Sequence, residues 1–93
     1  MKIDGDTIKF KSDHRFFGLE NSGVKPNTIR ILDVDDAIAV EEWKEKHSSG
    51  FIEISYGWEF SFKRELIWFE RIGVLFGKEI WLFCWKNEKE EDD

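Results

Sequence analysis

The segment EIWLFCWK, Glu79–Lys86, constrains the fold more than any other. Successive side chains of a strand point to opposite faces. Ile80, Leu82 and Cys84 therefore line one face, and Trp81, Phe83 and Trp85 the other. A strand apolar on both faces is normally central in its sheet or covered on both sides, so this one needs neighbours. The residues before it supply them. FIEISY alternates, with Ile52, Ile54 and Tyr56 on one side, and Gly57 allows a turn. WEFSFKREL follows, with Trp58, Phe60 and Phe62 opposed to Glu59, Ser61 and Lys63. The pattern breaks at Gly73 and Gly77, and everything from Phe51 onward reads as β.

The first half is mixed. Asp4-Gly5-Asp6 offers a turn before a β-prone run, Thr7–Phe10. SDHRFFGLENSG reads as a short helix capped by Ser12 or Asp13, with Phe16, Phe17 and Leu19 on its apolar side and Asn21-Ser22-Gly23 ending it. Pro26 keeps Lys25 extended, and Thr28–Leu32 continues as a β-branched strand. DVDDAIAVEEWKEKHSSG is the most helical segment. Asp33 or Asp35 caps it, acids crowd its first turn, Ile38 and Trp43 with Ala39 or Val40 form its stripe, and His47 and Gly50 mark its end.

Five or six strands and two short helices in 93 residues predict an α+β fold, a small and strongly bent sheet or β-barrel. Residues 1–86 form one domain, and 87–93 a charged tail of the kind usually disordered. So short a chain needs large core side chains, and five Trp and nine Phe provide them. The lone Cys84 cannot form an internal disulfide and fits a reducing interior. His14 and His47 have no ligand spacing around them, and no metal or cofactor is expected. The N-terminus lacks an apolar leader and no 18-residue apolar run exists, which predicts a cytoplasmic protein without a membrane span.

The net charge of −6 is uneven. Residues 1–32 hold six Lys/Arg against four Asp/Glu, a net +2, and residues 33–46 hold two against six, a net −4. Residues 47–86 balance at five each, and NEKEEDD holds one against five, a net −4. Overall acidity argues against broad phosphate-backbone binding but leaves room for a small basic pocket in the N-terminal third.

SGVKPNTIR, residues 22–30, is the stretch that carries chemistry. Gly23 permits a positive φ or a close backbone approach. Thr28 and Arg30 share a strand face, with Lys25 at its mouth. An ammonium, a hydroxyl and a guanidinium fork together suit a phosphate, a carboxylate or a base edge. The plain alternative is a turn followed by an edge strand whose polar side meets water.

The pattern Gly23, Lys25, Thr28, Arg30, preceded by RFFGLENSG and followed by a strand, resembles the signature of the ASCH domain, a PUA-like β-barrel family. SGVKPNTIR is also similar to small uncharacterised phage and bacterial proteins. The resemblance implies a barrel with a cleft beside the motif and binding of RNA or a nucleotide. It implies as well an alternative, an amidohydrolase of acylated cytidine in which Lys25 and Thr28 act with a downstream glutamate. Glu53, Glu65 and Glu70 all remain open for that role.

A third reading comes from charge. A phage-type accessory or inhibitor protein would act by contact through the acidic helix 34–47 and the tail, since acidic surfaces can imitate nucleic acid for a basic partner. Trp81, Phe83 and Trp85 are expected in the core rather than as a base-stacking platform. Lys63-Arg64 either is a solvated pair or extends the basic patch.

Overall fold

The computed structural model of the protein describes residues 1–12, 21–22, 25–57 and 60–86. Six strands, β1 (Lys2–Asp4), β2 (Thr7–Lys11), β3 (Asn27–Leu32), β4 (Phe51–Tyr56), β5 (Phe60–Leu75) and β6 (Lys78–Trp85), are joined by one helix, α1 (Val34–Lys46), which follows β3. They form a single sheet in the order β1-β2-β4-β5-β6-β3. All neighbours are antiparallel except β2 and β4. The chain crosses from β2 to the far edge, lays down β3, and returns through α1 to β4.

The α+β class and the bent sheet match the sequence reading; closure does not. The sheet is not a barrel, because β1 and β3 are its two ends and do not pair. It is nevertheless strongly folded over. Phe10 of β2 and Phe83 of β6 are separated by β4 and β5 in the ladder, yet their ring centroids lie 5.1 Å apart. The predicted first helix falls largely on residues outside the described set; Asn21 and Ser22, which are described, are helical. One helical element, α1, stands among the described residues where two helices were expected. The tail 87–93 and Gly23, His14, Trp58 and Glu59 also lie outside the described residues.

The bend resides in β5. Its first half pairs with β4 from Phe60 to Glu65, and its second with β6 from Leu66 to Leu75. Register shifts at Leu66/Trp68 and Arg71/Gly73 each insert an extra residue, which increases local bending and twist. Gly73 therefore marks a bulge inside one 16-residue strand, where the sequence suggested a break. The turn comes at Phe76-Gly77, with φ of 51° and 76°, the doubly positive pattern that suits a two-residue hairpin.

Inward faces meet in one core. Ile8, Phe10, Ile52, Ile54, Phe62 and Leu66 come from one side of the bend, and Trp81, Phe83, Trp85 and Leu32 from the other. Trp81, Phe83 and Trp85 are at most 2 % exposed, so this row is core, as expected. Of the two expected settings for β6, central or covered on both sides, it has the first, lying between β5 and β3, while its opposite row is not fully covered. Ile80, Leu82 and Cys84 are only half-buried, and Ile29 and Ile31 of β3 beside them are well exposed.

Helix α1 lies against the inward face. Asp33 caps it, its carboxylate accepting the Asp36 N–H at 2.8 Å. Its buried stripe is Ala37, Val40 and Trp43, while Ile38 is exposed. Trp43 and Val40 are buried as expected, and Ala37 takes the place expected for Ile38, at the i, i+3, i+6 spacing that shares one face with them. The Trp43 ring packs 5.6 Å from Phe69, and its Nε1 donates to the Gly5 carbonyl at 2.9 Å. Glu41, Glu42 and Glu45 face water.

Two stability outcomes follow from backbone and packing. A Cβ on buried Gly50 would strike the Trp43 ring and stand 2.9 Å from the Asp6 carbonyl. Gly50→Ala should therefore cost about 1–3 kcal/mol in urea denaturation, the usual range for overpacking. Phe76 holds a left-handed conformation with its side chain in water. Phe76→Asn should relieve on the order of 1 kcal/mol, read as a higher thermal midpoint.

Candidate functional site

Thr28, Arg30 and Leu32 occupy the inward face of β3, and Thr28 is buried. The expected shared face of Thr28 and Arg30 is realised in a hydrogen bond: Arg30 Nε donates to Thr28 Oγ1 at 3.0 Å. The same guanidinium reaches across the fold. Its Nη1 donates to the Lys11 carbonyl at 2.6 Å, and its central carbon sits 4.9 Å from the centroid of the Phe10 ring. Arg30 thereby ties the edge strand β3 to the end of β2. Strand β1 pairs with β2 only from Thr7 to Lys9, so among the described residues no strand flanks the last residues of β2 on that side. Guanidinium takes up a carbonyl there.

Beside this tie lies a cleft of about 550 Å³, within the roughly 300–1,000 Å³ of small-molecule sites. Phe10, Ile31 and Leu32 give it an apolar base. Lys2, Lys9, Lys11 and Arg30 give it four cations, Asp36 from the first turn of α1 one carboxylate, and Ser55 a hydroxyl. Its neighbours hold some of these groups. Lys9 Nζ lies 3.3 Å from an Asp4 carboxylate oxygen, a surface pair that is worth little and open to competition. Ser55 Oγ donates weakly to the Phe10 carbonyl at 3.4 Å.

Among the described residues of the SGVKPNTIR motif and the three candidate glutamates, only Arg30 lines this cleft. Lys25 is half-buried, and its Nζ donates to the Asn27 carbonyl at 2.7 Å. Thr28 receives Arg30 inside the fold. The three candidate glutamates are not brought to Thr28. Glu53 stands in register with Lys9 and Lys63, Glu65 with Phe51, and Glu70 with Leu82. Alternation from the buried residues beside them puts all three on the outward face, opposite to Thr28.

Sequence reading passed over Lys9 and Lys11, which supply much of the cleft's charge. Their signal is present: TIKFK places two lysines at alternate positions in the N-terminal third, which carries net positive charge. What hides them is distance, since β2 and β3 are separated by 15 residues that say nothing about which sheet edges meet.

Among the described residues no group of three or more His, Cys, Asp or Glu side chains is placed to hold a metal ion. No helix among them is long and apolar enough to cross a membrane. No protein-family model, curated protein or solved structure matches the chain.

If Arg30 is the tie between β3 and β2, charge alone will not replace it. Arg30→Lys should destabilise the fold by about 1–3 kcal/mol, because the ammonium cannot reproduce the fork and leaves buried Thr28 without its donor. Urea midpoints of the wild type and Arg30→Lys measure this, and equal midpoints would show that the bridge contributes nothing.

Proposed function

We propose that the protein binds a nucleoside phosphate, free or as the end of an RNA, in the cleft between β2 and β3. The observation that supports this reading most is the lining: four cations around an apolar base, in a chain whose net charge is −6. A positive enclosure on an acidic protein favours one small anion over an extended phosphate backbone, which needs a broad basic surface. Lys9 and Lys11 attract the phosphate as mobile point charges, while Arg30 supplies a fixed guanidinium on the opposite wall. Ile31, exposed beside the buried Phe10 and Leu32, offers apolar surface to a base. Asp36 would repel bare phosphate, but it can accept a hydrogen bond from a sugar hydroxyl or a base amine. That asymmetry favours a nucleotide over inorganic phosphate.

The motif reading also gives Lys25 a direct part. The cleft reading does not, and the two separate in one experiment. Calorimetric titration with a panel of nucleoside monophosphates and a 5′-phosphorylated trinucleotide RNA compares the wild type with two variants. Lys9→Ala/Lys11→Ala should weaken binding by about ten- to a hundredfold, the range for losing charge-assisted contacts. Lys25→Ala should bind as the wild type does. Binding should also weaken as salt is raised. No heat from any ligand of the panel, or full affinity in the double variant, would reject the cleft as the site. Tighter binding of the trinucleotide than of every mononucleotide would identify the RNA end as the source of the phosphate.

A further inference from the structure

We propose that the outward face of β3, β6 and the second half of β5 is the interface of a homodimer. The ladder places Ile29 beside Leu82 and Ile31 beside Ile80, and Trp68 completes the face beside Cys84. At the two irregularities of β5, Ile67 and Ile72 extend it. Ile29, Ile31, Ile67 and Trp68 are each 58–67 % exposed. The whole face leaves on the order of 700 Å² of apolar surface in water, more than the roughly 300–600 Å² of the largest patch on a typical monomer.

The occupant best matched to this face is a second copy. Two such faces brought together would bury roughly 1,400 Å², inside the ~1,200–2,000 Å² range of specific, stable interfaces. Homodimer interfaces are more apolar than those of transient partners, and the outward face of this ladder carries only Glu70 and, at its end, Lys78 as charged groups, one of each sign. Two identical twisted sheets can pack face to face around a twofold axis, as the layers of a β-sandwich do. Charge points to the same face. Each copy carries −6, so approach through α1 or the tail would set acid against acid, whereas on this surface Glu70 and Lys78 offset each other.

Sedimentation equilibrium of the full chain, at about 10–100 μM and moderate salt, tests the proposal. The wild type should weigh twice 11.1 kDa. Ile31→Lys/Trp68→Lys should sediment at 11.1 kDa with an unchanged far-ultraviolet dichroism spectrum, its dissociation constant raised at least about a hundredfold. If that variant does not fold, Ile67→Lys, at a 67 % exposed position, takes its place with the same expectation. A wild type that stays at 11.1 kDa across this range overturns the proposal, whether the face is bare or serves another protein. Folded variants that remain dimeric overturn it too, because the dimer then uses another surface. Lys9→Ala/Lys11→Ala should remain dimeric, which keeps this outcome separate from that of the cleft.

Discussion

Strand β5 has to serve two ladders at once. Its 16 residues pair with β4 at one end and β6 at the other. A straight strand of that length would hold the two halves in one open plane, with the aromatic row of β6 exposed. The shift at Leu66/Trp68 comes where the pairing changes partner, and around it the sheet folds its apolar rows inward. Phe62 then meets Trp85 at 5.8 Å, and Phe69 stacks on Phe83 at 5.7 Å. Helix α1 closes the remaining side by inserting Trp43 against Phe69. A small chain obtains its core in this way without a disulfide among the described residues.

Folding a sheet without closing it leaves a seam, and the seam is where the cleft forms. Had β3 paired with β2 along its length, backbone hydrogen bonds would fill the gap and no cavity would remain. Arg30 spans it instead, with one bond to the Lys11 carbonyl and one to Thr28. A side-chain bridge holds the edges near each other while leaving space beside it. That space is lined from both edges: lysines from β1 and β2, and apolar groups and a guanidinium from β3. The tie and the cleft therefore share a residue. Substituting the lysines therefore changes the lining of the cleft without removing the Arg30 tie.

Local pattern was legible wherever one period decided the matter. The alternation in EIWLFCW separated two faces, and the volume of its Trp-Phe-Trp row identified the inward one. His47 does end α1, its N–H bonded to the Trp43 carbonyl at 3.1 Å. In the helix stripe Trp43 and Val40 were legible, but Ile38, the larger apolar side chain, is exposed and Ala37 is buried in its place. Gly73 was read as a break because a bulge and a turn use the same residue, and only the partner strand distinguishes them. In the cleft, Thr28 and Arg30 were oriented correctly by alternation. The partners of Arg30 depend on how two distant edges meet, a property of the bend and not of any local spacing.

The outward side of β5 changes character along its length. Before the first register shift its outward residues are Ser61, Lys63 and Glu65; beyond it they include Ile67, Trp68 and Ile72. The first set belongs to a solvated surface, where Lys63 rests 4.9 Å above the Phe51 ring and Glu53 lies between Lys9 and Lys63 in the ladder. The second belongs to a surface with almost no charge. Strand propensity alone would be met by Thr or Tyr at these positions, so it does not call for isoleucines and a tryptophan in water. One continuous strand, half polar and half apolar on the same outward side, records two different environments. Water explains the first half, and apolar contact with another surface explains the second.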